Sequence, residues 1–98
     1  MIYVKDNELT IIKNILKKYL DFEDKILVYG SRIDEKHKQF SDIDIAIVSD
    51  KLDILTLFNM KHDFSESDLP YFVDITDYNN TADYFKKIID SNNVKLSI

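Results

Sequence analysis

Two aspartates one residue apart, Asp42 and Asp44, head the run Ser41-Asp42-Ile43-Asp44-Ile45-Ala46-Ile47-Val48. Side chains at i and i+2 of a strand lie on one face, so both carboxylates point the same way. Paired carboxylates repel and are costly to desolvate unless a cation sits between them. A hard divalent ion such as Mg²⁺ suits the pair, because it takes oxygen ligands and shares them with substrate phosphates. Upstream, Gly30-Ser31 closes another apolar run, Ile26-Leu27-Val28-Tyr29, and Gly30 is the only glycine among 98 residues. A glycine there lets the backbone turn sharply and a ligand approach the main chain. The amide and hydroxyl of Ser31 then face whatever sits at the strand end, a nest suited to phosphate oxygens. Arg32 follows, within reach of a phosphate or of a neighbouring acid.

The elements that must position these groups are legible in outline. Leu9, Ile12, Leu16, Tyr19 and Leu20 recur at helical spacing, predicting an amphipathic helix from Asn7 to Leu20, capped by Asp6 or Asn7. The first strand spans Lys25 to Tyr29, and Arg32 to Phe40 reads as a polar loop with a short helical turn. The second strand is Ile43 to Val48. Ser49-Asp50 is a plausible cap for a second helix marked by Leu52, Leu55, Phe58 and Met60. Ser65-Glu66-Ser67-Asp68 before Pro70 is a loop. A third strand covers Tyr71 to Thr76, and Asn79 or Asn80 caps a third helix with Ala82, Phe85, Ile88 and Ile89. Asn92-Asn93 predicts a stop in the left-handed conformation, and Val94 to Ile98 alternates as a final strand. Helices alternating with strands predict one α/β domain, residues 1–98, around a small sheet.

Gly-Ser-Arg, a spacer and Ser-Asp-Ile-Asp-Ile-Ala-Ile together resemble the signature of the DNA polymerase β-like nucleotidyltransferase superfamily, and within it the minimal nucleotidyltransferases. The likeness runs from about Leu9 to Ile98. It implies an α+β fold with a small mixed sheet flanked by helices. It also implies a third carboxylate on a later strand, supplied by Asp74 in Pro70-Tyr71-Phe72-Val73-Asp74-Ile75-Thr76. By resemblance, Asp42, Asp44 and Asp74 are the catalytic metal ligands for Mg²⁺, Asp74 also activates the attacking hydroxyl, and Gly30, Ser31 and Arg32 bind the nucleotide. Where minimal members commonly read Gly-Ser-Arg-Ala-Arg-Gly, this chain has Gly30-Ser31-Arg32-Ile33-Asp34-Glu35. Two acids beside a triphosphate imply weaker phosphate binding, with Lys36 and Lys38 as compensating charges.

Composition limits the acceptor. Thirteen Lys and Arg stand against 18 Asp and Glu, a net charge of −5. Long nucleic acids are held through phosphates by basic surfaces, so the isolated chain is not expected to bind nucleic acid stably. The absence of cysteine excludes disulfides and thiolate catalysis. The N-terminal residues lack the apolar run of a signal peptide, and no segment reaches membrane-span length, so a cytoplasmic location is expected. His37 and His62 read as surface residues. The aromatics read mostly as core, with Tyr71 and Tyr78 open to stacking on a base or meeting a partner. The resemblance further implies transfer of AMP from ATP to a tyrosine of a helical HEPN-type ribonuclease toxin, the chain acting as antitoxin in a hetero-oligomer. Two other readings are a catalytically silent module that blocks the toxin, and a small-molecule nucleotidyltransferase similar to aminoglycoside-modifying enzymes.

Overall fold

Four consecutive buried residues, Ile26 to Tyr29, make β1 (Lys25–Tyr29) a strand covered on both faces. Such a strand belongs inside a sheet with helices on either side. In the computed structural model, which describes residues 1–98, β1 is the second position from one edge of a four-stranded sheet. It pairs antiparallel with β2 (Ile43–Val48) and with the short β4 (Val94–Lys95). β2 pairs parallel with β3 (Val73–Asp77), which forms the other edge, so the sheet is mixed. The parallel pair is joined through α2 (Ile54–Ser65). Helices α1 (Asp6–Lys17) and α2 cover one face, where Ile12, Leu16, Val28, Ile43, Ile45, Ile47, Met60 and Phe64 share a core. The opposite face is smaller. There Ile89 of α3 (Asp83–Ser91) packs on Leu27, Tyr29 and Ala46.

Local chemistry moves several element ends from their expected places. The last turn before Leu20 tightens, with Lys18 N–H donating to the Ile15 carbonyl and Tyr19 N–H to that of Leu16, so α1 stops at Lys17. Its N-cap is Lys5, whose N–H donates to Glu8 Oε1 at 3.0 Å. Ser49 accepts the Lys51 N–H and forms a turn, leaving Asp53 to cap α2 by accepting the Thr56 N–H at 2.7 Å. β3 begins two residues late because Tyr71 turns into the core, and it continues to Asp77. Asn79 and Asn80 do not cap α3. They lie in a 3₁₀ turn, Tyr78–Asn80, and donate to Ser49 O and Asp77 Oδ2, so α3 starts after Ala82. Asn92 is extended at φ −159°, not left-handed, and Asn93 Nδ2 ties the helix end by donating to the Ile89 carbonyl. β4 is only two residues long, although Leu96 N–H still donates to Ile26 O. The aromatics are also less buried than their spacing predicts: Phe22, Phe40, Phe58, Phe72 and Tyr84 are exposed.

Candidate active site

The sheet places Asp44 between two neighbours. On one side it lies opposite Tyr29 of β1, and on the other opposite Asp74 of β3. Opposed residues in adjacent strands project on the same face, so the in-register pairing brings Asp44 and Asp74 side by side. Asp42 lies two residues before Asp44, just outside the strand, and is exposed, as is Asp74. Burial raises the Asp44 carboxyl from its ordinary value to about 6, and the charges of Asp74 and Asp42 add to that rise. The charges of Asp74 and Asp42 thus both act on the Asp44 carboxyl. None takes part in an ion pair; the pairs in the chain are Lys18–Asp63, Lys51–Asp21 and Lys51–Asp24.

Directly after Tyr29, Gly30 takes the left-handed conformation at φ +76°, the only positive φ in the chain. A Cβ at this position would collide with Asp44 Oδ2. Glycine is therefore required twice, for the backbone angle and for the carboxylate that rests against it. Residues Gly30–Ile33 form a 3₁₀ turn, and Ser31 Oγ donates to the Asp42 carbonyl at 3.3 Å, tying the turn to the acidic segment.

Beneath the acids, Tyr29 reaches diagonally across β2. Its hydroxyl lies 3.2 Å from Thr76 Oγ1 on a strand that β1 does not touch, and the Phe85 ring meets its ring edge-on at 5.9 Å. Burial raises the Tyr29 hydroxyl against the Thr76 hydrogen bond, with Asp44 and Asp74 adding to the rise. This floor of Tyr29, Ala46 and Thr76 was not legible in the sequence. The available signal was the shared face of Asp74 and Thr76.

Arg32 is a correction. The sequence places it on a phosphate or an acid, but the structure buries it. Nε donates to Ser41 O at 3.0 Å, Nη1 to Tyr3 O at 3.2 Å and Nη2 to Gln39 O at 3.0 Å, above the Tyr71 ring. Tyr71 is likewise a core residue, and its hydroxyl donates to Glu8. Tyr78 donates to Asp90 and fixes the turn to α3. Asp34 and Glu35 are exposed, and Asp34 Oδ1 accepts the Lys36 N–H within its own turn. His37 is half-buried beside the Tyr3 ring, and His62 stacks on Phe58 at the surface.

Three unpaired carboxylates, with oxygen donors only, are what a hard divalent ion accepts alongside phosphate oxygens. In this structure no three such side chains stand close enough together to hold a metal ion. The fit to such an ion therefore rests on donor type, three oxygen ligands without ion-pair partners.

Likeness to known proteins agrees with this geometry. The family described as "Polymerase beta, Nucleotidyltransferase" matches residues 10–97. The chain belongs to this nucleotidyltransferase family. It is 41% identical over 87 residues to a protein of Haemophilus influenzae named "Probable protein adenylyltransferase MntA". That match covers 88% of this chain and 75% of the relative. The polymerase β-like α+β fold and the minimal nucleotidyltransferase type expected from the Gly-Ser and Asp-x-Asp motifs are both borne out. No helix is long and apolar enough to cross a membrane.

Proposed function

We propose that this nucleotidyltransferase is Mg²⁺-dependent and moves AMP from ATP to a tyrosine hydroxyl of a partner HEPN-type ribonuclease toxin, acting as its cytoplasmic antitoxin in a hetero-oligomer. The observation that carries the reading is the in-register pairing of Asp44 with Asp74, beside Asp42 and against Gly30. A protein acceptor is supported by the name of the Haemophilus influenzae relative, a probable protein adenylyltransferase. It is also supported by Phe40 and Phe72, each two residues before a site aspartate and both exposed, Phe72 at 80%.

Asp42 and Asp44, with Asp74, would hold the metal. Mg²⁺ bound there would supply electrostatic stabilisation of the charge that develops on phosphate oxygens during the transfer. The chain's own groups do the rest. The Gly30-Ser31 turn offers main-chain N–H groups to the phosphate tail where no Cβ intervenes. Asp74, on the edge strand, takes the proton of the acceptor hydroxyl and passes it to solvent. A bond forms from the tyrosine oxygen to the α-phosphorus, and the bond from that phosphorus to the pyrophosphate oxygen breaks.

The test is mass spectrometry of a co-purified helical partner after incubation with ATP and Mg²⁺. The expected result is one or more AMP groups on a partner tyrosine. A complex that forms without added mass would favour the silent blocking module. A free chain that consumes ATP with a small amine-rich acceptor would favour the small-molecule enzyme.

A further inference from the structure

Arg32 and Glu8 are the two charged residues buried in the fold, at 3% and 8% exposure. They are joined through Tyr71. Its ring lies 4.1 Å from the guanidinium carbon, and its hydroxyl donates to Glu8 Oε1 at 3.2 Å. Glu8 Oε1 also accepts the Lys5 N–H at the start of α1, and Tyr3 N–H donates to the Arg32 carbonyl at 2.7 Å. The guanidinium is thus fixed from below by α1 and the N-terminal segment. Two of the three carbonyls it holds, Gln39 O and Ser41 O, belong to the segment that delivers Asp42.

We propose that Arg32 is a positioning residue for the reaction centre: its guanidinium fixes the Gln39–Ser41 backbone and so directs the Asp42 carboxylate into the space it shares with Asp44 and Asp74. The inference rests on reading those aspartates as the reaction centre. Beyond Asp42 the strand ladder takes over, with Ile43 N–H donating to Phe72 O at 3.0 Å, but the other ties on residues 39–42 are local or weaker. Ser41 N–H and Oγ both turn back to Lys38 O, and Ser31 Oγ meets Asp42 O at 3.3 Å. Only a planar fork of donors reaches three diverging carbonyls at once, and a lysine ammonium on one flexible stem does not.

Arg32→Lys and Arg32→Gln separate this role from a direct phosphate contact, since lysine keeps the charge and loses the fork. Two readouts apply: amide hydrogen exchange across residues 38–44, and Mg²⁺·ATP affinity by calorimetry at low and high salt. Both variants should exchange faster at Ser41 and Ile43 while amides within β1 stay protected. Both should lose about tenfold or more in affinity, as when groups that orient metal ligands are removed, with the salt dependence of wild type. Wild-type affinity in Arg32→Lys would overturn the proposal in favour of a charge contact. Unchanged exchange at Ser41 and Ile43 would also overturn it. Should neither Arg32 variant fold, Tyr71→Leu removes the ring beneath the guanidinium and should show the same two changes in smaller measure; wild-type behaviour there would overturn the proposal. Loosened exchange in the variants, with no Mg²⁺·ATP binding by wild type, would sink the functional reading and leave the clamp standing.

Discussion

Gly30 and Asp44 form the tightest constraint at the scale of single residues. Gly30→Ala would force a side chain into a left-handed backbone and against Asp44 Oδ2. It is expected to cost about 1–2 kcal/mol from the backbone angle alone, read by urea denaturation, and to abolish Mg²⁺·ATP binding by displacing the carboxylate. Asp44 itself opposes folding when charged. Its carboxyl is raised from 3.8 to about 6, first by burial and then by Asp74 and Asp42. The folded state therefore holds the proton more tightly than the unfolded chain. That contribution is fully present below pH 3.8 and is lost as pH rises through about 6. Discounted for a group that solvent still reaches, the loss is about 1–2 kcal/mol. Asp44→Asn should accordingly be more stable than wild type at neutral pH by about that amount, with the gain vanishing toward pH 4. Urea titrations across this range check it, and a pH-independent difference would contradict it.

At the scale of elements, the site depends on β2 and β3 keeping their parallel register, and the Tyr29–Thr76 bond crosses that pairing. Ala46 is fully buried in the cluster with Tyr29, and a larger side chain there has no space. Ala46→Leu should cost about 1–3 kcal/mol by overpacking and weaken Mg²⁺·ATP binding by moving Tyr29 and the strands it joins. Thermal unfolding and calorimetry test both effects. The same elements show what a sequence can tell. β1 and β2 coincide with their expected spans because their apolar residues run without a break in Ile26 to Tyr29 and are interrupted only by Asp44 in Ile43 to Val48, and their ends carry the Gly-Ser turn and the paired acids. The starts of β3, α2 and α3 were misplaced because side chains of Tyr71, Ser49, Asn79 and Asn80 found non-local or turn partners that compete with the simpler cap or strand reading. Arg32 was misread for a related reason. Its partners, Tyr3, Gln39, Ser41 and Tyr71, lie on separate segments, and nothing in their spacing announces that they converge.

At the scale of the whole molecule, charge and exposed apolar surface point in the same direction. With a net charge of −5, the chain should give no mobility shift with tRNA or single-stranded DNA at physiological salt, since phosphate contacts supply most of such affinity. Ile54, Leu55 and Phe58 stand exposed along α2, as do Phe40 and Phe72 beside the acidic edge. A protein acceptor suits that surface better than a nucleic acid. The central claim remains that Asp42, Asp44 and Asp74 together hold a metal-bound nucleotide. It is tested most directly by calorimetry with ATP on wild type and on Asp44→Asn, with Mg²⁺ and with the metal chelated. Binding by wild type that needs the metal, and is lost in Asp44→Asn although that variant is the more stable protein, is the predicted result. Equal binding by the two proteins, or binding indifferent to Mg²⁺, would contradict the claim.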